Sequence, residues 1–200
     1  MTPEPAPDPA PDPTPVPLSV VMPAYNEEAG IADVLDEVCR LVLDVVPGSE
    51  LVVVDDCSTD ATSAVLAALA ERDGRIRVVR NETNRGHGPS LRRAIDISHG
   101  EWVLHLDSDG QVDVTEFPRL WELRAGNDLV LGVRADRHDP ALRLALTKVV
   151  RGLVSVLARR RVRDANTPFK LISRRLFDHL SPSIPPDSFA PSILLVLGAH

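Results

Sequence analysis

Asp107 and Asp109 lie one residue apart in HLDSDGQVD (105–113), directly after the apolar run that begins at Trp102. Two carboxylates this close repel each other unless something positive lies between them. The pair is not an EF-hand, because the sixth and twelfth loop positions would be Val112 and Pro118, where that loop needs glycine and glutamate. The spacing suits a hard divalent cation such as Mg²⁺ or Mn²⁺. Such an ion takes one or two carboxylates and fills its remaining positions with phosphate oxygens and water. An isolated D-x-D is commonly just a solvated turn, so its meaning depends on the elements around it.

Those elements follow from the alternation along the chain. Residues 18–24 (LSVVMPA), 51–56 (LVVVDD), 75–80 (RIRVVR), 101–107 (EWVLHLD) and 128–133 (DLVLGV) read as five strands. Several are nearly continuous Val and Leu runs, the pattern of parallel strands covered on both faces. Residues 27–45, 59–72, 88–98 and 114–125 carry apolar side chains at helical spacing. This predicts an α/β domain with a mainly parallel central sheet flanked by helices. Ligands of such sheets gather beyond the carboxyl ends of the strands. Here those ends read PAYNEE, DDCSTD, NETNRGHG, DSDGQ and RADR. Polar and charged residues collect at every one, where a generic domain would show Gly and Ser turns, and that concentration points to a site. GHGPSL lacks the third glycine of a dinucleotide fingerprint and follows the third strand rather than the first; no Walker A sequence occurs.

Five stretches in register carry a family resemblance: VVMPAYNEE (20–28), VVVDDCSTD (52–60), NRGHGPSLRRAI (84–95), GEWVLHLDSDGQ (100–111) and DANTPFKLISR (164–174). The chain resembles family 2 glycosyltransferases of the GT-A fold, a Rossmann-like nucleotide-sugar-binding architecture. It looks most like the polyprenyl-phosphate sugar transferases of the dolichol-phosphate mannose synthase type. The resemblance implies that Pro23, Ala24, Tyr25 and Glu27 line a nucleotide pocket and that Asp56 holds the base or ribose. It matches Asp107, Asp109 and Gln111 to the metal and diphosphate motif, with Mg²⁺ or Mn²⁺ as cofactor. Arg134 and Arg143 would face the acceptor phosphate or donor diphosphate, and Lys170 would add a phosphate contact. Thr147 stands where such enzymes often carry serine. The implied reaction is inverting transfer from a UDP- or GDP-sugar to a dolichyl or undecaprenyl phosphate.

The chemistry agrees with that reading. A nucleotide sugar departs as a diphosphate, whose developing charge a metal ion and Arg would stabilise. A lipid phosphate acceptor, with a second pKa of about 6, is already anionic near neutral pH and needs no general base. A hydroxyl acceptor would need one, and Asp164 and Asp187 are the candidates. His87 and His105 read as structural or pocket-lining. Two other readings stay open: a family 2 transferase to a sugar hydroxyl in cell-wall or exopolysaccharide synthesis, and a non-catalytic nucleotide-sugar-binding module.

The whole chain sets further bounds. Its 200 residues, 44% apolar, suit one globular domain, expected over residues 18–200. Relatives continue past a segment like SFAPSILLVLGAH (188–200), so the domain is expected to be truncated at its C-terminus. Residues 1–17 hold proline at every odd position from Pro3 to Pro17 and predict an extended, disordered tail without signal-peptide character. Cys39 and Cys57 are the only cysteines, which argues against a disulfide framework and fits a cytoplasmic protein. A net charge of −7 disfavours nucleic acid as a partner. Residues 134–175 nevertheless hold twelve Lys or Arg against three Asp. Within them, 141–164 place apolar residues at helical spacing with Arg159, Arg160, Arg161 and Arg163 at the end. A helix of that kind suits peripheral contact with the cytoplasmic face of a membrane, and a core helix with a solvated basic end fits the pattern equally.

Overall fold

The computed structural model describes residues 16–132, 167–185 and 187–188. The Pro-rich tail up to residue 15 and the basic stretch 134–166 lie outside the described residues. The strands are β1 (Leu18–Ala24), β2 (Glu50–Asp55), β3 (Ile76–Arg80), β4 (Trp102–His105), β5 (Leu129–Leu131) and β6 (Lys170–Ser173). They form one six-stranded sheet in the order β3-β2-β1-β4-β6-β5. β1 to β4 pair in parallel, as expected, while β6 pairs antiparallel with both β4 and β5. The sequence reading had no sixth strand: KLIS is four residues long, too short to show a period, and it lies between the neighbours that complete its pairing.

Both faces of the sheet are covered, which explains the unbroken apolar runs. Val20, Met22, Val53 and Leu104 join one core, beneath α1 (Ile31–Val38), α2 (Thr62–Arg72) and α4 (Phe117–Glu122). Val21, Val52, Val54 and Val103 join the other, beneath α3 (His87–Asp96) and α5 (Arg174–Leu180). Alternate residues of one strand thus serve opposite cores. The first helix is shorter than the expected 27–45: α1 begins at Ile31 after a loop, and its continuation Cys39–Leu43 widens into a π-helical turn. That turn keeps Val38, Val42 and Leu43 all buried. The expected 114–125 helix likewise divides into a 3₁₀ turn, Val114–Glu116, capped by the Asp113 side chain, and α4.

The turn from α3 into β4 is closely packed. Gly100 N donates to Ser19 Oγ at 2.7 Å, and Ser19 Oγ donates to Glu50 Oε1 at 2.7 Å. Arg174 holds the same turn, donating to Ile95 O, Ser98 O and Gly100 O at 3.0–3.1 Å. A Cβ on Gly100 would overlap Ser19 N and come within 2.6 Å of Trp102 O. Gly100→Ala is therefore expected to cost about 2 kcal/mol of stability. The measurement is the urea midpoint, which should fall at unchanged m; an unmoved midpoint would mean that the turn relaxes freely.

Candidate active site

The strand order reverses between β1 and β4: the chain runs outward from β1 through β2 to β3, then returns past β1 to form β4. A crevice opens at such a switch point, beyond the carboxyl ends of the two strands. The residues leaving β1 are Tyr25, Asn26 and Glu27; those leaving β4 are Leu106, Asp107, Ser108 and Asp109. The paired carboxylates thus stand where an open α/β sheet binds its ligand.

Two loops beside this crevice are interlocked by hydrogen bonds. From the β1 loop, Asn26 N donates to Ser58 Oγ (3.0 Å), Glu27 N to Thr62 Oγ1 (2.8 Å) and Glu28 N to Asp60 Oδ2 (3.2 Å). In return, Thr59 N donates to Asn26 Oδ1 (2.8 Å) and Ala61 N to Glu28 Oε2 (2.7 Å). Asn26 and Cys57 sit at φ 56° and 63°, left-handed conformations that non-glycine residues adopt only when their surroundings enforce them. Pro23 and Ala24 are buried at the end of β1, while the Tyr25 ring is exposed.

Asp56 reaches the next loop. Its Oδ1 accepts from Asn81 Nδ2 (2.6 Å) and Arg85 N (2.9 Å), and its Oδ2 from Gly86 N (2.7 Å). Burial pushes its carboxyl upward, but the donors from Arg85, Asn81, Ser90 and Gly86 hold it below the ordinary carboxylate value. Asp56 was expected to face base or ribose; in the structure most of its hydrogen-bonding capacity positions the NRGHG loop. Gly86, at φ 87°, provides the turn that starts α3 with His87. An ion pair between Arg85 Nη2 and Asp187 Oδ1 at 3.2 Å joins this loop to the later part of the chain.

His87 Nε2 lies 2.9 Å from Asp107 Oδ1, and His105 Nε2 lies 3.3 Å from the same oxygen. The two imidazoles lie with centroids 5.8 Å apart and planes tilted by 57°. Burial drives the His105 pKa down to about 4, so its ring is neutral at physiological pH. Burial pushes Asp107 up, yet His105 and His87 overcome that and hold it far below the ordinary carboxylate range. Glu27 is shifted upward, first by burial and then by the charges of Asp109 and Asp60, so the β1 and β4 ends share one negative field. Asp109 is exposed and accepts from Gln111 N at 3.0 Å, folding the turn back on itself. Lys170 is buried on β6 in register with His105, and its charge acts on that ring.

The donor set fits a divalent ion. Among the described residues, His87, His105 and Asp107 form a group whose ligand atoms all lie within 4.8 Å of one another. The sequence places Asp107 in a metal set with Asp109 and Gln111 and reads both histidines as structural or pocket-lining. Residues i and i+2 leaving a strand share a face, which was the available signal for His105 with Asp107; nothing local pointed to His87. Arg134, Arg143, Thr147 and Asp164 lie outside the described residues. No helix among the described residues is long and apolar enough to cross a membrane.

Comparison with known proteins places these features in a family. The model of "Glycosyl transferase family 2" matches residues 19–181. An undecaprenyl-phosphate 4-deoxy-4-formamido-L-arabinose transferase of Pseudomonas aeruginosa is 40% identical over 129 residues, covering 63% of this chain and 38% of that protein. The human dolichyl-phosphate beta-glucosyltransferase is 34% identical over 180 residues, covering 78% of this chain and 55% of that one. Glucosyl-3-phosphoglycerate synthase from Mycobacterium tuberculosis, solved with uridine diphosphate, superposes with a TM-score of 0.63 at 28% identity. That match covers 82% of this chain and 59% of the synthase. The chain therefore spans between about two fifths and three fifths of the length of these relatives.

Proposed function

Because the chain belongs to glycosyl transferase family 2 and has the GT-A fold, we propose that it moves a sugar from a UDP- or GDP-sugar to a polyprenyl phosphate, with inversion and with a divalent metal ion. The observation that carries this reading is the position of Asp107 and Asp109 at the β1/β4 switch point, where the charge of Asp109 acts on Glu27. The names of the Pseudomonas and human relatives favour a polyprenyl phosphate as acceptor, and the synthase bound to uridine diphosphate favours a nucleoside diphosphate as the leaving group.

In this mechanism Tyr25 and Glu27 bind the nucleoside end of the donor, on the rigid platform made by the interlocked β1 and β2 loops. Asp107 and Asp109 would hold the metal, with Gln111 assigned to the same motif by the sequence resemblance. When bound, the ion supplies a Lewis acid that stabilises the departing diphosphate. Asp56 keeps the NRGHG loop, and so His87, against Asp107. Lys170 and the sequence-assigned Arg134 and Arg143 add positive charge for phosphate oxygens. A lipid phosphate needs no proton removed before attack, so no base beyond these residues is required; Asp164 would matter only with a hydroxyl acceptor. The basic stretch 134–175 suits the anionic surface where such a lipid resides.

The test is transfer of labelled sugar from a panel of UDP- and GDP-sugars, with Mn²⁺, into undecaprenyl or dolichyl phosphate. The expected product is a butanol-extractable lipid from which mild acid releases the sugar. Label appearing only in a saccharide acceptor would replace this reading with the hydroxyl-acceptor one. Metal-dependent nucleotide binding with no transfer to any acceptor would leave a binding module.

A further inference from the structure

His105 is only 6% exposed, yet neither of its ring nitrogens has a hydrogen-bond partner among the described residues. Its Nε2 is 3.3 Å from Asp107 Oδ1 but out of line for a hydrogen bond. Leaving a buried polar atom unsatisfied is costly enough that each case calls for an explanation. The nearby acceptor, Asp107 Oδ1, is not aligned with His105 Nε2 and also lies 2.9 Å from His87 Nε2. A cation would take the lone pair of His105 Nε2 together with those of His87 Nε2 and Asp107 Oδ1. Tetrahedral coordination at about 2.0–2.1 Å sets ligand atoms about 3.4 Å apart. Two of the three separations, 2.9 and 3.3 Å, lie close to that value, and all three ligand atoms lie within 4.8 Å of one another.

We infer that His87, His105 and Asp107 form a site for a later first-row transition-metal ion of the Zn²⁺ or Co²⁺ class, through two imidazole nitrogens and one carboxylate oxygen, in preference to Mg²⁺. Mg²⁺ is bound by oxygens and gives up its water reluctantly, whereas imidazole suits the later divalent ions. Three protein ligands leave a coordination position open, the arrangement of sites that work on a substrate rather than merely brace a fold. The inference rests on the glycosyltransferase reading only for its consequence, that the ion in the crevice is selected by imidazole. Binding itself is tested without transfer.

The experiment is titration of the metal-free protein with Co²⁺, followed by visible absorption, then competition with Zn²⁺ and with excess Mg²⁺. One equivalent of Co²⁺ should give the ligand-field bands of a histidine-bound ion; Zn²⁺ should erase them and Mg²⁺ should not. His105→Ala and His87→Ala should each weaken Co²⁺ binding by at least about tenfold. His87 is half exposed at the start of α3, so its variant keeps the measurement meaningful if His105→Ala does not fold. Binding indifferent to both histidine variants, or bands displaced by Mg²⁺, overturns the inference and leaves the carboxylate-centred glycosyltransferase reading standing. Intact histidine-dependent bands in a protein that transfers no sugar support the inference while that reading falls.

Discussion

Asp109→Asn is expected to lower sugar transfer by about a hundredfold to a thousandfold and to remove the metal-dependent part of nucleotide binding. The substitution is clean. Asp109 is exposed, and its one described hydrogen bond, accepted by Oδ1 from Gln111 N, is available to an asparagine oxygen as well. What disappears is the charge. Asp109 lies close enough to Glu27 to raise that carboxyl, so the native crevice carries like-charge repulsion that the variant relieves. Stability should therefore stay level or rise slightly, and the Glu27 carboxyl should titrate lower than in the parent. Three measurements separate these effects: transfer rate, thermal shift with nucleotide and Mn²⁺, and the carboxyl titration followed by NMR. A ligand that binds only the native state at a hundred times its Kd stabilises by about 2.7 kcal/mol, so loss of the Mn²⁺-dependent shift is readily seen. Unchanged transfer would remove Asp109 from the metal site and leave the pair at the β4 end without its proposed purpose.

The parts of this protein that were legible beforehand share one physical property: they depend on neighbours in sequence. Continuous apolar side chains in residues 51–54 and 103–104 mark strands buried on both faces, wherever those strands lie in the sheet. Polar residues clustered at each strand's carboxyl end identify the working edge of the domain before any tertiary contact is known. Contacts set by docking were not legible. Nothing in KLIS announces that it inserts antiparallel between β4 and β5, since the pairing is supplied by strands 41 to 68 residues earlier in the chain. His87 meets Asp107 because α3 packs across β1 and β2 and begins at His87, just after the Gly86 turn, which only the folded arrangement reveals. The same limit explains Asp56. Its neighbours in DDCSTD suggest a ligand contact, but its donors come from residues 81, 85 and 86, and these engage the carboxylate within the fold.

Asp56→Ala should therefore act on stability and on the site together. The change leaves Asn81 Nδ2 and the Arg85 and Gly86 amides without their acceptor. Losing charge-assisted hydrogen bonds at a residue only 3% exposed is expected to cost about 3 kcal/mol. It also frees the loop that carries His87 to Asp107, so divalent-ion affinity should fall although no proposed ligand has been touched. Acidification supplies an independent check on the parent protein. The folded Asp56 carboxyl lies below its ordinary value, so its contribution is complete above the unfolded pKa of about 3.9. That contribution is lost as pH falls through the folded pKa. Between neutral pH and about pH 3, the stability difference between parent and Asp56→Ala should accordingly shrink. Asp56→Asn discriminates further: its carbonyl oxygen can retain Arg85 N while its NH₂ opposes Gly86 N, so its stability should fall between the two. If Asp56→Ala keeps full stability while nucleotide binding collapses, the carboxylate serves the ligand first and the loop second.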